Sequence, residues 1–200
     1  ATEVMLTPII PQVLEITIHK LENVLLAKKL QEDLSFLKET TQIEIGSDIS
    51  YVSSVCSHLL NKLKPMSKLY NMDENALGIT IQESVANAVI HGNLEVPSSL
   101  KEESWFAFDD LVKERQTQQP YKARKVWIRY EITKEFFTLI VEDEGKGFNP
   151  SSIPQIANPD SWQKLSGRGL LMIRTFMEKV SWNDIGNVIT MTKKLHRSEK

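Results

Sequence analysis

Cysteine is nearly missing from this chain. Cys56 stands alone among 200 residues, so no internal disulfide can form, and without a second thiol at Cys-x-x-Cys spacing it cannot nucleate a structural zinc site. A reducing cytoplasm fits that usage. Long apolar runs are missing too: none approaches the roughly 20 residues that a membrane span requires. The first residues also lack a basic segment followed by an apolar signal core. The expectation is a soluble, unexported protein with no membrane contact. Charge of one sign is not in excess either, since 24 Lys and Arg face 26 Asp and Glu for a formal net charge of -2. That balance gives no electrostatic footprint for direct nucleic-acid binding. Internal repeats and low-complexity tracts are absent.

What remains is a globular composition, 41% hydrophobic and 25% charged, in a chain long enough for one substantial domain with additions. A domain of this size buries about 70% of the surface its unfolded chain exposes. Residues 1–12, with Pro8 and Pro11, read as an extended lead-in. Residues 13–37 then carry Leu14, Ile18, Leu21 and Leu25 on one stripe and Leu26, Leu30, Leu34 and Leu37 on another, both at helical intervals. This predicts a long helix in an N-terminal extension over residues 1–40, packed within the chain or a dimer, or offered to a partner. Residues 41–45 read as a short strand. Ser47 or Asp48 can cap a helix to about Lys64, with Val52, Val55, Leu59 and Leu63 inward, and Pro65 is expected to end it. Cys56 and His58 in that helix read as packed or surface side chains.

Residues 73–93, DENALGITIQESVANAVIHGN, read as an amphipathic helix with a polar seam. Glu83, Asn87 and His91 recur every four residues, a drift of only about 40° on a 3.6-residue helix, so they share one side. Leu77, Ile81, Val85, Ala88 and Val89 form the neighbouring apolar face, and Gly92 falls where a helix would stop. Residues 94–125 are a polar, insertion-like stretch with a short helix expected through Gln116. Trp105, Phe106 and Phe108 are expected to pin it to the body. Residues 126–132 and 136–143 alternate and form a hairpin signal. Residues 150–163, with three prolines, read as a loop or lid. Residues 166–169 lead into a helix with Leu170, Ile173, Met177 and Val180 inward, residues 182–186 turn, and residues 188–192 form a last strand. The fold class is α/β (α+β): a two-layer sandwich with a mixed, mostly antiparallel sheet and helices on one face.

Three stretches carry chemistry together: the seam, Asp143-Glu144-Gly145-Lys146-Gly147-Phe148 after a strand, and Ser166-Gly167-Arg168-Gly169-Leu170 opening a helix. A carboxylate at a strand end can accept a hydrogen bond from an exocyclic amino group, which makes Asp143 a reader of adenine. Gly145 and Gly147 would let backbone approach base and sugar. The Gly167–Gly169 turn at a helix N-terminus favours a phosphate through free N–H groups and the helix dipole. Magnesium keeps waters and phosphate oxygens, so one carbonyl from Asn87 suffices as its protein ligand. Glu83 could orient or deprotonate an attacking hydroxyl or water. Each signal alone is weak; their order strengthens them.

The combination resembles the GHKL ATPase superfamily and, within it, the anti-sigma-factor serine/threonine kinases that phosphorylate anti-anti-sigma proteins. ESVANAVIHGN looks like the family's N-box, DEGKGF like its first glycine box and SGRGL like its second. The similarity covers residues 41–194 outside the insertion. It implies a Bergerat-type ATP-binding fold over residues 41–196, with ATP and Mg²⁺ as cofactors. It also implies Glu83 as catalytic base, Asn87 as Mg²⁺ ligand and Asp143 as adenine contact. Gly145 and Gly147 would be the base-side loop, and Gly167, Arg168, Gly169 and Leu170 the phosphate-side contacts. Residues 150–166 would be the ATP lid. The implied partners are a sigma factor and an anti-anti-sigma protein, with a homodimer expected. For His91 the structural reading is favoured. Two alternatives stand beside the kinase: a non-catalytic ATP-dependent binding switch, and the catalytic part of a sensor histidine kinase with His19 as phosphoacceptor. About 64 residues between His19 and Glu83 are too few for a long dimerisation hairpin plus the first strand and helix. The N-terminal helix and the insertion depart from the shorter family pattern and leave the target open.

Overall fold

Alternation builds the sheet. In strands β2 (Val126–Thr133) and β3 (Phe136–Asp143), Val126, Ile128, Tyr130 and Ile132 face Phe137, Leu139 and Val141 on the covered side, all buried. Ile128 lies opposite Val141, Tyr130 opposite Leu139 and Ile132 opposite Phe137, the cross-strand pairs that hold a sheet face together. The computed structural model describes residues 38–152 and 168–196. The helix expected over residues 13–37, His19 within it, Ser166, Gly167 and nearly all of the expected lid lie outside the described residues.

Strand β1 (Lys38–Ile45) pairs with β2, β5 (Val188–Lys194) pairs with β3, and β4 (Lys179–Trp182) lies beyond β5. The order is β1-β2-β3-β5-β4 with every pairing antiparallel. Helices α1 (Ser50–Leu69), α2 (Glu74–Asn87) and α5 (Arg168–Phe176) form the second layer, and α2 packs against both others. Val55, Leu59 and Leu63 of α1, Leu77, Ile81 and Val85 of α2 and Ile173 of α5 close the core. Truncating any of these to alanine would cost about 2–5 kcal/mol. The two-layer α/β architecture is the one expected.

Several local expectations give way to packing. Helix α1 runs through Pro65 to Leu69 instead of ending at residue 64. Met66 and Ser67 are buried, and the Ser67 hydroxyl donates to the Lys64 carbonyl at 2.9 Å or to Glu74 Oε1 at 2.9 Å. These contacts offset the proline penalty of about 3 kcal/mol. The helix ends before Asn71, whose φ of 49° is left-handed. Asp48, not Ser47, serves the helix start, accepting from the Ser50 N–H at 2.8 Å. Ser47 is buried, and its hydroxyl donates to the Tyr121 carbonyl at 2.8 Å or to that of Arg124 at 3.1 Å.

Strand β4 replaces what reads as the end of a helix and a turn, with Val180 and Trp182 inside it. The switch follows from competition at its start: the Glu178 N–H already bonds the Thr192 carbonyl at 3.0 Å, and Lys193 Nζ caps the Phe176 carbonyl at 3.0 Å. The insertion holds two helices rather than one, α3 (Ser98–Glu103) and α4 (Trp105–Thr117), and then a single 3-10 turn at Tyr121–Ala123. Of Trp105, Phe106 and Phe108 only the last is buried. Trp105 and Phe106 are 57% and 82% exposed, so they do not pin the segment.

Candidate functional site

The site lies where β3 ends and α2 changes its winding. Asp73 caps α2, accepting from the N–H groups of Asn75 and Ala76 at 2.9 and 3.1 Å. After Asn87 the helix widens into a π-helical segment, Ala88–Asn93, with the Leu94 N–H reaching five residues back to Val89 at 2.9 Å. Such widenings frequently occur at functional sites. Here the expected single helix becomes two windings, and the second sets Gly92 against the end of β3. A β-carbon on Gly92 would lie 2.3 Å from Asp143 Cγ and 2.5 Å from each carboxylate oxygen. Only glycine fits there.

Asp143 is held from several directions. Its Oδ1 accepts the Gly145 N–H at 2.8 Å, and Asn187 bonds it twice, its carbonyl taking the Asp143 N–H and its Nδ2 donating to the Asp143 carbonyl. Burial pushes the carboxyl pKa up from 3.8 to about 6, against the opposing pull of the Gly145 N–H and the Arg124 charge. The second oxygen carries no hydrogen bond among the described residues.

The glycine loops close on protein backbone. A β-carbon on Gly145 would lie 2.3 Å from the Gly92 carbonyl oxygen, and one on Gly147, whose φ is 68°, would lie 1.9 Å from that of Ile185. These glycines let the loop after β3 sit directly on the π-helical segment and on the β4–β5 turn. Gly147 also lines the cavity below; Gly145 is not among its lining residues.

A cavity of about 670 Å³ gathers the seam and the loops, with Glu83, Asn87, His91, Asp143, Gly169 and Leu170 among its walls. That volume suits a small-molecule ligand. Glu83 and Asn87 are half-exposed to it, and neither side chain makes a hydrogen bond among the described residues. Gly169, in the first turn of α5, sits against Glu83: a β-carbon there would lie 2.0 Å from Glu83 Oε2. The carboxylate of one motif thus touches the glycine of another. Arg168 begins α5, but its side chain is outside the described residues, as is Gly167.

Two residues that the sequence did not single out tie these parts together. Asn93 is fully buried; its Nδ2 donates to Ser47 Oγ at 3.1 Å and its Oδ1 accepts the Glu144 N–H at 2.8 Å. Glu95 takes a left-handed φ of 51°, a conformation costing about 1–3 kcal/mol outside glycine. It is held by Arg124 at 2.9 Å and by Lys146 of the glycine loop at 2.8 Å. Arg115 donates to the carbonyls of Leu94 and Glu95, Arg124 donates to that of Asn93, and both guanidiniums lie over the Tyr121 ring. The insertion therefore clamps the end of the π-helical segment. The adjacency of Asn93 and Glu95 to the seam was the only sequence signal for either.

His91 lines the cavity beside Phe108, ring centroids 6.4 Å apart. Its Nδ1 lies 2.6 Å from the Val96 carbonyl; a carbonyl only accepts, so Nδ1 carries the proton and Nε2 keeps its lone pair. Crowding by protein holds its pKa below 6.5, with the Lys101 charge adding to the effect and the Val96 bond and Glu83 opposing it. That direction favours the neutral ring.

Among the described residues no group of three His, Cys, Asp or Glu side chains could hold a metal ion, so a metal here would have to share its coordination with a ligand. No described helix is long and apolar enough to cross a membrane. Against known proteins, a family model described as "histidine kinase-like ATPase domain" matches residues 47–193. No curated protein matches the chain.

Proposed function

This chain belongs to the histidine kinase-like ATPase domain family, and from that membership we propose a Mg-ATP-dependent protein serine/threonine kinase of the anti-sigma-factor type, phosphorylating an anti-anti-sigma protein. The observation that carries the kinase reading is Glu83. Its carboxylate faces the same cavity as Asn87 and Asp143, touches Gly169 at the start of α5 and has no hydrogen-bond partner among the described residues. Binding a nucleotide needs no free carboxylate at the phosphate end, where it would repel the ligand. A base acting on an incoming hydroxyl does need one.

In this reading Asp143 accepts from the adenine amino group, and the loop carrying Gly145 and Gly147 borders the base. The phosphates lie toward the first turn of α5, flanked by Gly167, Arg168, Gly169 and Leu170, where the helix dipole favours an anion by about 0.3–1 kcal/mol. Asn87 would hold Mg²⁺ through its side-chain carbonyl, with waters and phosphate oxygens as the other ligands. The ion, when bound, supplies neutralisation of phosphate charge. Glu83 takes the proton of a serine or threonine hydroxyl as that oxygen bonds the terminal phosphorus and the bond to the ADP oxygen breaks.

Labelled ATP and candidate substrates test the proposal. Glu83→Gln should cut phosphotransfer by about 100-fold or more while ATP still binds. Unchanged transfer would sink the catalytic role. A second reading, an ATP-dependent switch without phosphotransfer, is favoured by the Lys146–Glu95 pair, which links the glycine loop to the insertion and so gives nucleotide occupancy a route to a surface. The proposed partners are a sigma factor and an anti-anti-sigma protein, with a cytoplasmic homodimer as the working form, and no direct contact with nucleic acid. We take residues 1–40 as an extension and residues 41–196 as the ATPase unit, with the insertion at 94–125. Retention of the same partners with and without ATP in a pull-down would count against both readings.

A further inference from the structure

Helix α3 brings one more charge to the cavity. Lys101 lines the same cavity as Glu83, Asn87 and His91, and its Nζ stands 5.3 Å from the Trp105 ring centroid and 5.8 Å from that of Phe108. The position is built rather than incidental. Phe108 is buried beside His91, and Arg115 and Arg124 fasten the insertion to the end of the π-helical segment. The aromatic faces support the ammonium without neutralising it.

The charge balance of the cavity gives this lysine its meaning. Glu83, Glu95 and Asp143 line the cavity with Lys101 and Lys146, and Lys146 is already paired to Glu95 at 2.8 Å. No carboxylate pairs with Lys101 among the described residues. A polyphosphate entering beside these carboxylates, which outnumber the lysines among the described lining residues, is repelled unless cations meet it. Lys101 is a lining cation left without a carboxylate among the described residues, and it stands by the Phe108 ring that packs beside His91 of the seam.

We infer that Lys101 of the insertion contacts the polyphosphate of the bound nucleotide and sets preference for ATP over nucleotides with fewer phosphates. This rests on the nucleotide reading of the cavity. The insertion then completes the phosphate side of the site, with the Trp105 and Phe108 rings within cation–π reach of the exposed Lys101 side chain.

The test measures binding of ATP, ADP and adenosine to the full chain by titration calorimetry in the presence of magnesium, with Lys101→Met and Lys101→Arg. Methionine keeps an apolar stem over the rings and removes the charge. Lys101→Met should weaken ATP at least tenfold, ADP less, and adenosine by under twofold, while Lys101→Arg retains most of the ATP affinity. ATP affinity within twofold of the unaltered chain overturns the inference. An equal loss for adenosine does so too, because it would mean that the variant disturbs the site as a whole. If the unaltered chain binds none of the three, the nucleotide reading falls first and this inference with it.

Discussion

The position of Asp143 makes a prediction in which stability and binding move in opposite directions. Its carboxyl is pushed up from 3.8 to about 6, first by burial and in part by Glu142, against the Gly145 N–H and Arg124. At about 1.4 kcal/mol per unit of pKa, ionising it inside the fold costs up to about 3 kcal/mol. Because the folded value lies above the unfolded one, the native state binds more protons between pH 3.8 and about 6. Stability therefore falls as pH rises through that window, and the full penalty is present above it. Asp143→Asn, which cannot ionise, should gain about 1–3 kcal/mol over the parent at neutral pH, after allowance for partial solvent access. The gain should vanish at low pH, as followed by urea unfolding. Adenosine should behave oppositely, since an ionised acceptor makes the stronger hydrogen bond to its amino group. Having no phosphates to titrate, it isolates this end of the cavity. Its affinity in the parent should rise about tenfold from about pH 5 to a plateau near pH 7, and the asparagine variant should bind about tenfold or more weakly at the plateau. A flat adenosine affinity across that range would refute the role of Asp143. So would a variant that binds as tightly as the parent.

Three further substitutions probe the close contacts. Gly92→Ala would put a β-carbon 2.3 Å from Asp143 Cγ; overpacking of about 1–3 kcal/mol and at least tenfold weaker adenosine binding should appear together, and calorimetry showing parental affinity would contradict the contact. Gly169→Ala would meet Glu83 Oε2 at 2.0 Å and must turn that carboxylate aside. Phosphotransfer should drop by about 100-fold with adenosine affinity kept, and a parental rate would argue that the position of Glu83 is irrelevant. Arg124→Met removes donors to the Asn93 carbonyl and to Glu95, which should lower unfolding stability by about 1–3 kcal/mol; a change within experimental scatter in urea would show that the clamp is dispensable.

The sheet and the helical layer were legible because burial acts through periodicity. The alternation in β2 and β3 and the helical spacing of Leu77, Ile81 and Val85 announce which side each element covers. What stayed hidden depends on partners far along the chain. Pro65 punctuates a sequence, but the buried Met66 and Ser67 carry α1 past it. Strand β4 has four residues, too few for a pattern, and exists because β5 offers it an edge. The π-helical widening leaves no compositional mark, since what it accommodates is the Asp143 carboxylate packed directly against Gly92. Trp105 and Phe106 look like anchors by type, yet the helix that carries them turns them outward.

The candidate site was legible as three weak motifs, and their contacts explain why none of them could be strong alone. The crowding that makes Gly92 necessary comes from Asp143, that of Gly145 from the Gly92 carbonyl, and that of Gly169 from Glu83. Each glycine answers to an atom in a different motif. A lone Asp-x-Gly after a strand, or a lone Gly-x-Gly before a helix, carries no constraint from elsewhere and so reads as a turn or a cap. When all three occur in one chain, the seam and the loop after β3 supply the neighbours that make these glycines obligatory. The three motifs together are therefore informative where each alone is not, because the end of β3 and two helix ends meet at a single cavity.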